Sequence, residues 1–451
     1  VEYRLLLSTI YFQTNGNYWK TNATNWLSEF DECTWFGVRC DANGVIIELD
    51  LNNQFVTLGA GQDDLLLNTE PLSFPTEVTF LTDLRALKMQ GDSMRGTIPS
   101  SLGSLVNLEI LDLRVNIFTG TFPYPDITSL GSLRVLALGT NNALRVTLPE
   151  NIDQWPNLEM VSFLGTGSGS EPWTLPTTIG RLSNLAVLNL GLSYLEGVIP
   201  TEIGNLSSLE FLNLRFNFNL FGTVPTEIGN LTNLKTILVD QGRLTGTIPT
   251  EVGNMLMLKR FVISKTSLLS GTIPTEIGRC SMLETVVLAE TSVRGNLPAE
   301  LSQLSNLMYL DLSDSTVSGT IAPAFFSLTN LTGFDVTRTF MGGAVAVDAR
   351  NLTLLACLGL GSIGSGSTSI SGSLTTEGTA DSCEFVFEDS NELADCDRIQ
   401  RESCDCCTEP FTICRLDMPL IEVSKCGYSV DSKQPDITDA FAELEKRFIL
   451  S

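Results

Sequence analysis

Few residues in this chain could do chemistry, and one type is missing altogether. None of the 451 residues is histidine, so Ser-His-Asp, Cys-His and imidazole-metal arrangements are excluded. The best-placed acids are Asp311 and Asp335, with Asp314 and Arg338 beside them. Carboxylates about 5 Å apart are the arrangement of a retaining glycosidase, which also needs a water-excluding pocket and a carboxyl of raised pKa. An open sheet offers neither. The expectation is therefore a solvated acidic face, with calcium second and catalysis a distant third; the spacing matches no calcium loop.

The second chemical resource is cysteine. There are eleven: Cys33, Cys40, Cys280, Cys357, and seven from Cys383 through Cys396, Cys404, Cys406, Cys407 and Cys414 to Cys426. Clusters at the ends with a nearly cysteine-free middle point to disulfide-stapled ends and an oxidising, extracellular setting. Zinc is the rival reading, but Cys404-Asp-Cys406-Cys407 is too compressed for an ordinary CxxC pair and no His is at hand. Cys280 takes a core leucine slot, as a buried thiol. Seven is odd, so one terminal cysteine is free, bonds another chain, or reaches Cys357, the option favoured here. The connectivity of the cluster is not deducible.

Net charge narrows the partners. With 27 Lys and Arg against 52 Asp and Glu the chain carries −25, which disfavours nucleic acid and anionic membranes. No run of 18 apolar residues could span a bilayer. The start at Val1 lacks the basic and apolar pattern of a secretory leader, so a processed chain is expected. Of five N-x-S/T sequons, Asn22, Asn205, Asn230 and Asn351 are candidate glycosylation sites. Asn330 directly precedes a strand-opening Leu, as do Asn107, Asn157, Asn184, Asn233 and Asn306, so it reads as structural.

The elements that position these residues come from a repeat. The pattern L-x-x-L-x-L opens at Ile46, Leu84, Leu108, Leu133, Leu158, Leu185, Leu209, Leu234, Leu258, Leu283, Leu307, Leu331 and Leu355, at intervals of 24 to 27 residues after Leu84. Such a constant period means a solenoid: each copy supplies one strand of a parallel sheet, and the leucines stack into one core. G-x-[IVLF]-P follows in most copies, as in Gly96-Thr-Ile-Pro99 and Gly246-Thr-Ile-Pro249. Glycine permits the turn, and proline fixes φ to start a turn or 3-10 segment. Thirty-eight residues separate Ile46 from Leu84, so residues near Leu58 to Leu72 read as an insertion.

This combination resembles the plant-type extracellular leucine-rich-repeat family of receptor ectodomains and polygalacturonase-inhibiting proteins. Trp26…Cys33-Thr-Trp35-Phe-Gly37-Val-Arg-Cys40 is similar to the family's N-terminal cap, and the resemblance implies a Cys33–Cys40 bridge. Leu393-Ala-Asp-Cys396…Cys404-Asp-Cys406-Cys407-Thr408 resembles the cysteine-rich cap of diatom-type members. The family usually places Asn eight residues after the opening Leu. Here only Asn116, Asn141 and Asn217 do so, and Thr166, Ser193, Thr266, Thr291, Ser315 and Thr339 take other slots. A hydroxyl serves the same local role more weakly.

The expected fold class is α/β, a right-handed leucine-rich-repeat solenoid with a parallel concave sheet and a 3-10 and loop convex side. Its divisions are an N-terminal cap (1–45), thirteen repeat strands (46–375), a cysteine-rich cap (376–426) and a tail (427–451). Residues two, four, six and seven after each opening Leu should face out of the concave sheet. Ile110, Val135, Met160, Val187 and Phe211, extended by Leu164, Leu192 and Phe216, then form an apolar stripe that either recognises a ligand or merely suits a strand. Eight of the ten residues inside G-x-I-P are Thr; strand preference explains that ladder better than binding of ice or a polysaccharide lattice. In the tail, Ile437, Phe441, Leu444 and Phe448 share one helical face, which folds back or joins another subunit. The leading function is a non-catalytic, extracellular recognition module without metal or cofactor, binding a protein or glycan on the concave face. The alternative is a structural matrix or surface-assembly protein that polymerises through its ends and tail.

Overall fold

The computed structural model describes residues 2–16, 19, 24–52, 72–91, 94–167, 171–348, 357–359, 370–375, 382–387 and 446–448. They fall into two units, Val1–Leu209 with Ala442–Ser451, and Glu210–Phe441. The expected insertion, the cysteines from Cys396 to Cys426, Asn22, Asn351, Ile437, Phe441 and Leu444 lie outside the described residues.

The first unit opens with a cap. Helix α1 (Glu2–Gln13) buries Leu7 and Ile10. Tyr11 stacks on Trp26 at 5.7 Å between ring centroids, and Trp26 meets Trp19 at 4.8 Å and Trp35 at 5.2 Å. Asp31 caps the 3-10 turn Glu32–Thr34 by accepting from the Cys33 N–H. Cys33 and Cys40 are bonded, with Cα atoms 5.5 Å apart. Strand β1 (Val38–Cys40) runs antiparallel to β2 (Ile46–Asp50), so the sheet begins with a cap strand and not with the first repeat strand. Neither α1 nor this antiparallel strand is legible in the repeat pattern.

From β2 onward the strands are parallel. The first unit adds β3 (Ala86–Lys88), β4 (Ile110–Asp112), β5 (Val135–Ala137), β6 (Met160–Ser162) and β7 (Val187–Asn189). The second unit holds β8 (Phe211–Asn213), β9 (Thr236–Asp240), β10 (Arg260–Ser264), β11 (Thr285–Val287), β12 (Tyr309–Asp311), β13 (Gly333–Asp335) and β14 (Cys357–Gly359). Each of the thirteen opening positions thus yields one parallel strand, six in the first unit and seven in the second. From Ile46 to Leu331 the opening residues are buried, and so are the residues three and five places on, such as Leu111, Leu113, Phe261 and Ile263. After β13 the second unit also carries a three-stranded sheet, Gly343–Asp348, Ile370–Thr375 and Ser382–Phe387, which the repeat pattern does not announce.

The chain leaves the strand the same way in repeat after repeat. The residue seven after the opening Leu has a left-handed backbone, with φ of 51° to 58° at Val115, Thr140, Leu192, Phe216, Gln241, Lys265, Glu290, Asp314 and Arg338. That conformation costs a non-glycine residue about 1–2 kcal/mol. It is offset by hydrogen bonds, because these N–H groups reach the next repeat: Lys265 N–H donates to Ala289 C=O at 2.9 Å and Glu290 N–H to Ser313 C=O at 2.8 Å.

One residue on stands the Asn or hydroxyl column. Asn141 Nδ2 donates to Leu138 C=O at 2.7 Å within its own repeat and to Leu113 C=O at 2.9 Å in the repeat before, while its Oδ1 accepts from Phe118 N–H. Asn116 repeats the scheme with Leu113, Met89 and Met94. The hydroxyls of Thr166, Ser193, Thr291, Ser315 and Thr339 make the bond to the carbonyl three residues back. Thr266 Oγ1 is buried without a partner among the described residues.

Proline then starts the 3-10 turns as expected: Pro200, Pro225, Pro249 and Pro274 precede them with φ of −69° to −68°. The threonines inside G-x-I-P have a packing reason. A Cβ on Gly271, whose φ is +80°, would lie 2.5 Å from Thr247 Cγ2, and one on Gly246 2.8 Å from Thr223 Cγ2. Each methyl roofs the glycine of the following repeat. Asn107, Asn157, Asn184, Asn306 and Asn330 each donate to a carbonyl of the preceding repeat, at 2.9 to 3.2 Å. Asn330 is therefore structural.

Candidate functional site

Alternation along a strand puts the residues two, four and six after each opening Leu on one face of the sheet. In the first unit that face is apolar in its plus-two column, but little of it is exposed. Val135, Met160 and Val187 are buried, Ile110 and Leu164 half-buried, and Leu192 is 44% exposed. In the second unit Phe211 is buried and Phe216 half-buried under the Arg215 guanidinium, 4.9 Å from its ring. Bulky side chains at the strand spacing leave little gap between neighbours.

Charge on this face is mostly paired. In the first unit the Asp112 carboxylate, with no exposure, receives Arg114 Nε and Nη2, both at 2.8 Å. Lys88 Nζ lies 2.8 Å from Glu48. In the second unit Arg215 Nε donates to the buried Asp240 at 2.6 Å. Burial raises the Asp240 carboxyl above its usual range, with Arg215 opposing it. Arg215 and Asp240 both stand six residues after an opening Leu in successive repeats, so the repeat arithmetic already places them side by side; the sequence reading missed them.

Asp311 on β12 and Asp335 on β13 are different. Their Cα atoms are in register on adjacent strands, as the spacing predicts, but they are not a solvated face. Asp311 is 6% exposed and Asp335 1%. The position is central, four residues after the opening Leu, between the plus-two and plus-six columns. Tyr309 leans over it: a Cβ on Gly333 would meet the Tyr309 ring at 2.5 Å. Asp311 Oδ1 accepts from Ser313 N–H at 2.9 Å and Oγ–H at 2.7 Å, and Tyr309 Oη–H is 3.4 Å from Oδ2. Thr337 N–H and Oγ–H serve Asp335 at 2.8 and 2.7 Å. Neither carboxylate has an ion pair with a described residue; Arg338 pairs with Asp314 instead. Burial, then the neighbouring Asp335, pushes Asp311 up to about 6. Burial raises Asp335 as well. A retaining glycosidase needs its two carboxyls split into protonated acid and ionised nucleophile; here both are pushed the same way.

Four further polar atoms sit on the same face without partners among the described residues: Arg215 Nη2, Arg260 Nε, Ser264 Oγ and Thr285 Oγ1. Thr285 lies in register between Arg260 and Tyr309. Among the described residues no group of three or more metal-ligating side chains occurs.

No protein-family model matches the chain. It is 29% identical over 178 residues to the receptor-like protein kinase HAIKU2 of Arabidopsis thaliana, covering 38% of this chain and 16% of that protein. It is 30% identical over 182 residues to the receptor-like protein EIX1 of Solanum lycopersicum, covering 38% of this chain and 17% of that one. The matched stretch is about a sixth of either relative. Among solved structures, PEPR1–AtPEP1 aligns with a TM-score of 0.60 at 26% identity, over 79% of this chain and 52% of that one. The plant peptide hormone receptor RGFR1 in complex with RGF2 aligns with a TM-score of 0.56 at 26% identity, over 76% and 53%.

The fold is a leucine-rich-repeat solenoid, and its repeats are similar to those of plant receptor-like proteins. That repeat type accounts for the alternating 3-10 turns and the asparagine ladder. Asn205 and Asn230 are exposed and end the 3-10 turns Thr201–Asn205 and Thr226–Asn230. Cys280 is fully buried, its Sγ 3.3 Å from Val252 C=O, and burial pushes the thiol up to about 11. In the tail, Lys446–Phe448 is helical and belongs to the first unit, where Phe448 is 7% exposed. No described helix is long and apolar enough to cross a membrane.

Proposed function

We propose that the chain is a non-catalytic, extracellular recognition module that binds a peptide or protein through the open face of its repeat sheet. The observation that carries this is the likeness, over three quarters of the chain, to the plant peptide hormone receptor RGFR1 in complex with RGF2, and to PEPR1–AtPEP1. The open face supports it physically, since buried polar atoms without partners are what a ligand completes. A glycan is the alternative ligand. Assembly through the tail has less support, because Phe448 is already covered. Asn205 and Asn230, exposed at the ends of 3-10 turns, are proposed glycan carriers, as is Leu192 as an apolar contact at the rim of the face.

The test is selection of displayed random peptides, in parallel with a glycan array, on the whole chain. We expect saturable peptide binding that is weakened by substitutions on the open face, such as Arg260→Ala. Binders on neither platform, or binding indifferent to every substitution there, would contradict the proposal.

A further inference from the structure

We infer that the open face of the second unit holds a seat for one cationic side chain: the carboxylates of Asp311 and Asp335 take the lysine or arginine of a bound peptide, and Thr285 bonds the peptide beside it. The inference rests on the recognition reading above and names the chemistry of its ligand.

The argument starts from how this chain treats its other buried carboxylates. Asp112 is held by Arg114 through two bonds, and Asp240 by Arg215. Removing a carboxylate from water is unfavourable unless a cation and hydrogen bonds replace that water. Asp311 and Asp335 are as buried as those two and receive only hydroxyl and backbone donors. Asp335, in register on the adjacent strand, adds to the burial that raises Asp311, and that repulsion is relieved by one positive charge placed between them. No described cation forms an ion pair with either carboxylate: Arg338 is paired with Asp314 at the strand exit and opposes the shift of Asp335 only from a distance, and no cation is among the causes acting on Asp311.

Thr285 gives an independent sign. Its side chain is 2% exposed, its hydroxyl has no partner among the described residues, and it stands on β11 next to Tyr309, which leans over the acids. A buried hydroxyl without a partner is rare in a finished protein. Arg260, one strand further along the column, pairs with Glu284 at 3.7 Å through Nη2, while its Nε has no partner among the described residues. Donors at one end and a carboxylate pair at the other match an extended peptide that offers a carbonyl to Thr285 and Arg260 and a basic side chain to the acids. A glycan lacks the cation, and an acidic peptide would be repelled.

The probe is the set of peptides selected on the whole chain, re-measured after each Lys is replaced by norleucine and each Arg by citrulline. The expected result is one basic residue whose replacement weakens binding by about tenfold or more. The same loss is expected from Asp311→Asn with Asp335→Asn, and combining it with the peptide change should add nothing further. Thr285→Val should weaken binding by a smaller factor. The peptide substitutions leave the protein untouched, so a folding defect cannot imitate them. Binders that tolerate loss of every basic residue overturn the cationic seat and leave the recognition reading standing. Absence of any peptide binder overturns both.

Discussion

Asp112 in the first unit and Asp311 in the second occupy the same place in their repeats, four residues after the opening Leu, and both are buried. Asp112 is clasped by Arg114 two residues along the same strand segment. At the corresponding place after Asp311 stands Ser313, which offers a hydroxyl and no charge. The in-register neighbours differ too, Lys88 beside Asp112 and Asp335 beside Asp311, and these two changes separate an ion pair from a carboxyl pushed up to about 6. A solenoid can hold the same backbone geometry in two repeats and still give one buried carboxylate a cation and leave another without one, because what differs is a few side chains on the same face.

The comparison breaks most visibly from the first unit's side. Arg114→Met should destabilise the protein by about 3–5 kcal/mol, since it leaves Asp112 buried and alone. Urea unfolding monitored by far-UV circular dichroism measures it, and a loss below about 1 kcal/mol would mean that the pair is solvated after all.

The glycine seam gives the next largest difference. Gly271→Ala in the second unit meets Thr247 and adopts a positive φ, for an expected loss of about 2–4 kcal/mol. Gly96→Ala in the first unit has the same φ problem but open space around the new Cβ, so about 1–2 kcal/mol is expected. Thr247→Ser should restore part of the Gly271→Ala loss by removing the methyl, and thermal melts of the double variant would show whether it does.

The ladder gives a smaller contrast. Asn141→Thr removes the bond to Leu113 C=O and the acceptor for Phe118 N–H while keeping the local one, so a loss of about 1–3 kcal/mol is expected. Ser315→Ala in the second unit removes one local bond, worth about 0.5–1.5 kcal/mol. Equal losses at the two sites would show that the inter-repeat bond contributes nothing.

The repeat made the strands legible, because the leucine period fixes both where each strand starts and which residues face the core. It also placed Asp311 beside Asp335. It could not show that they are buried, since that depends on the lean of Tyr309 over Gly333, two side chains and a missing one whose meeting no spacing encodes. It read the threonines as strand preference, which is right in direction but omits the reason, a methyl against the next glycine. The cap was half visible: the Trp and Cys motif marks it, whereas α1 carries no capping or repeat signal that separates it from the rest. The apolar column from Ile110 to Phe211 follows from alternation along the strands, but that rule says which way a side chain points and not whether a neighbour covers it.

The most direct test of the unpaired acid is the stability of Asp311→Asn relative to wild type at pH 7.5 and at pH 4.5. Asn keeps an oxygen for the two Ser313 donors and cannot ionise. In the wild type the folded pKa lies above the unfolded one, so the folded state binds the extra proton and stability falls as pH rises from about 4 to about 6. The variant should therefore be more stable than wild type at pH 7.5, by up to about 2–3 kcal/mol, and the advantage should shrink toward zero at pH 4.5. A variant that is less stable than wild type by the same amount at both pH values would contradict the account, because it would mean that the Asp311 charge is already satisfied within the chain.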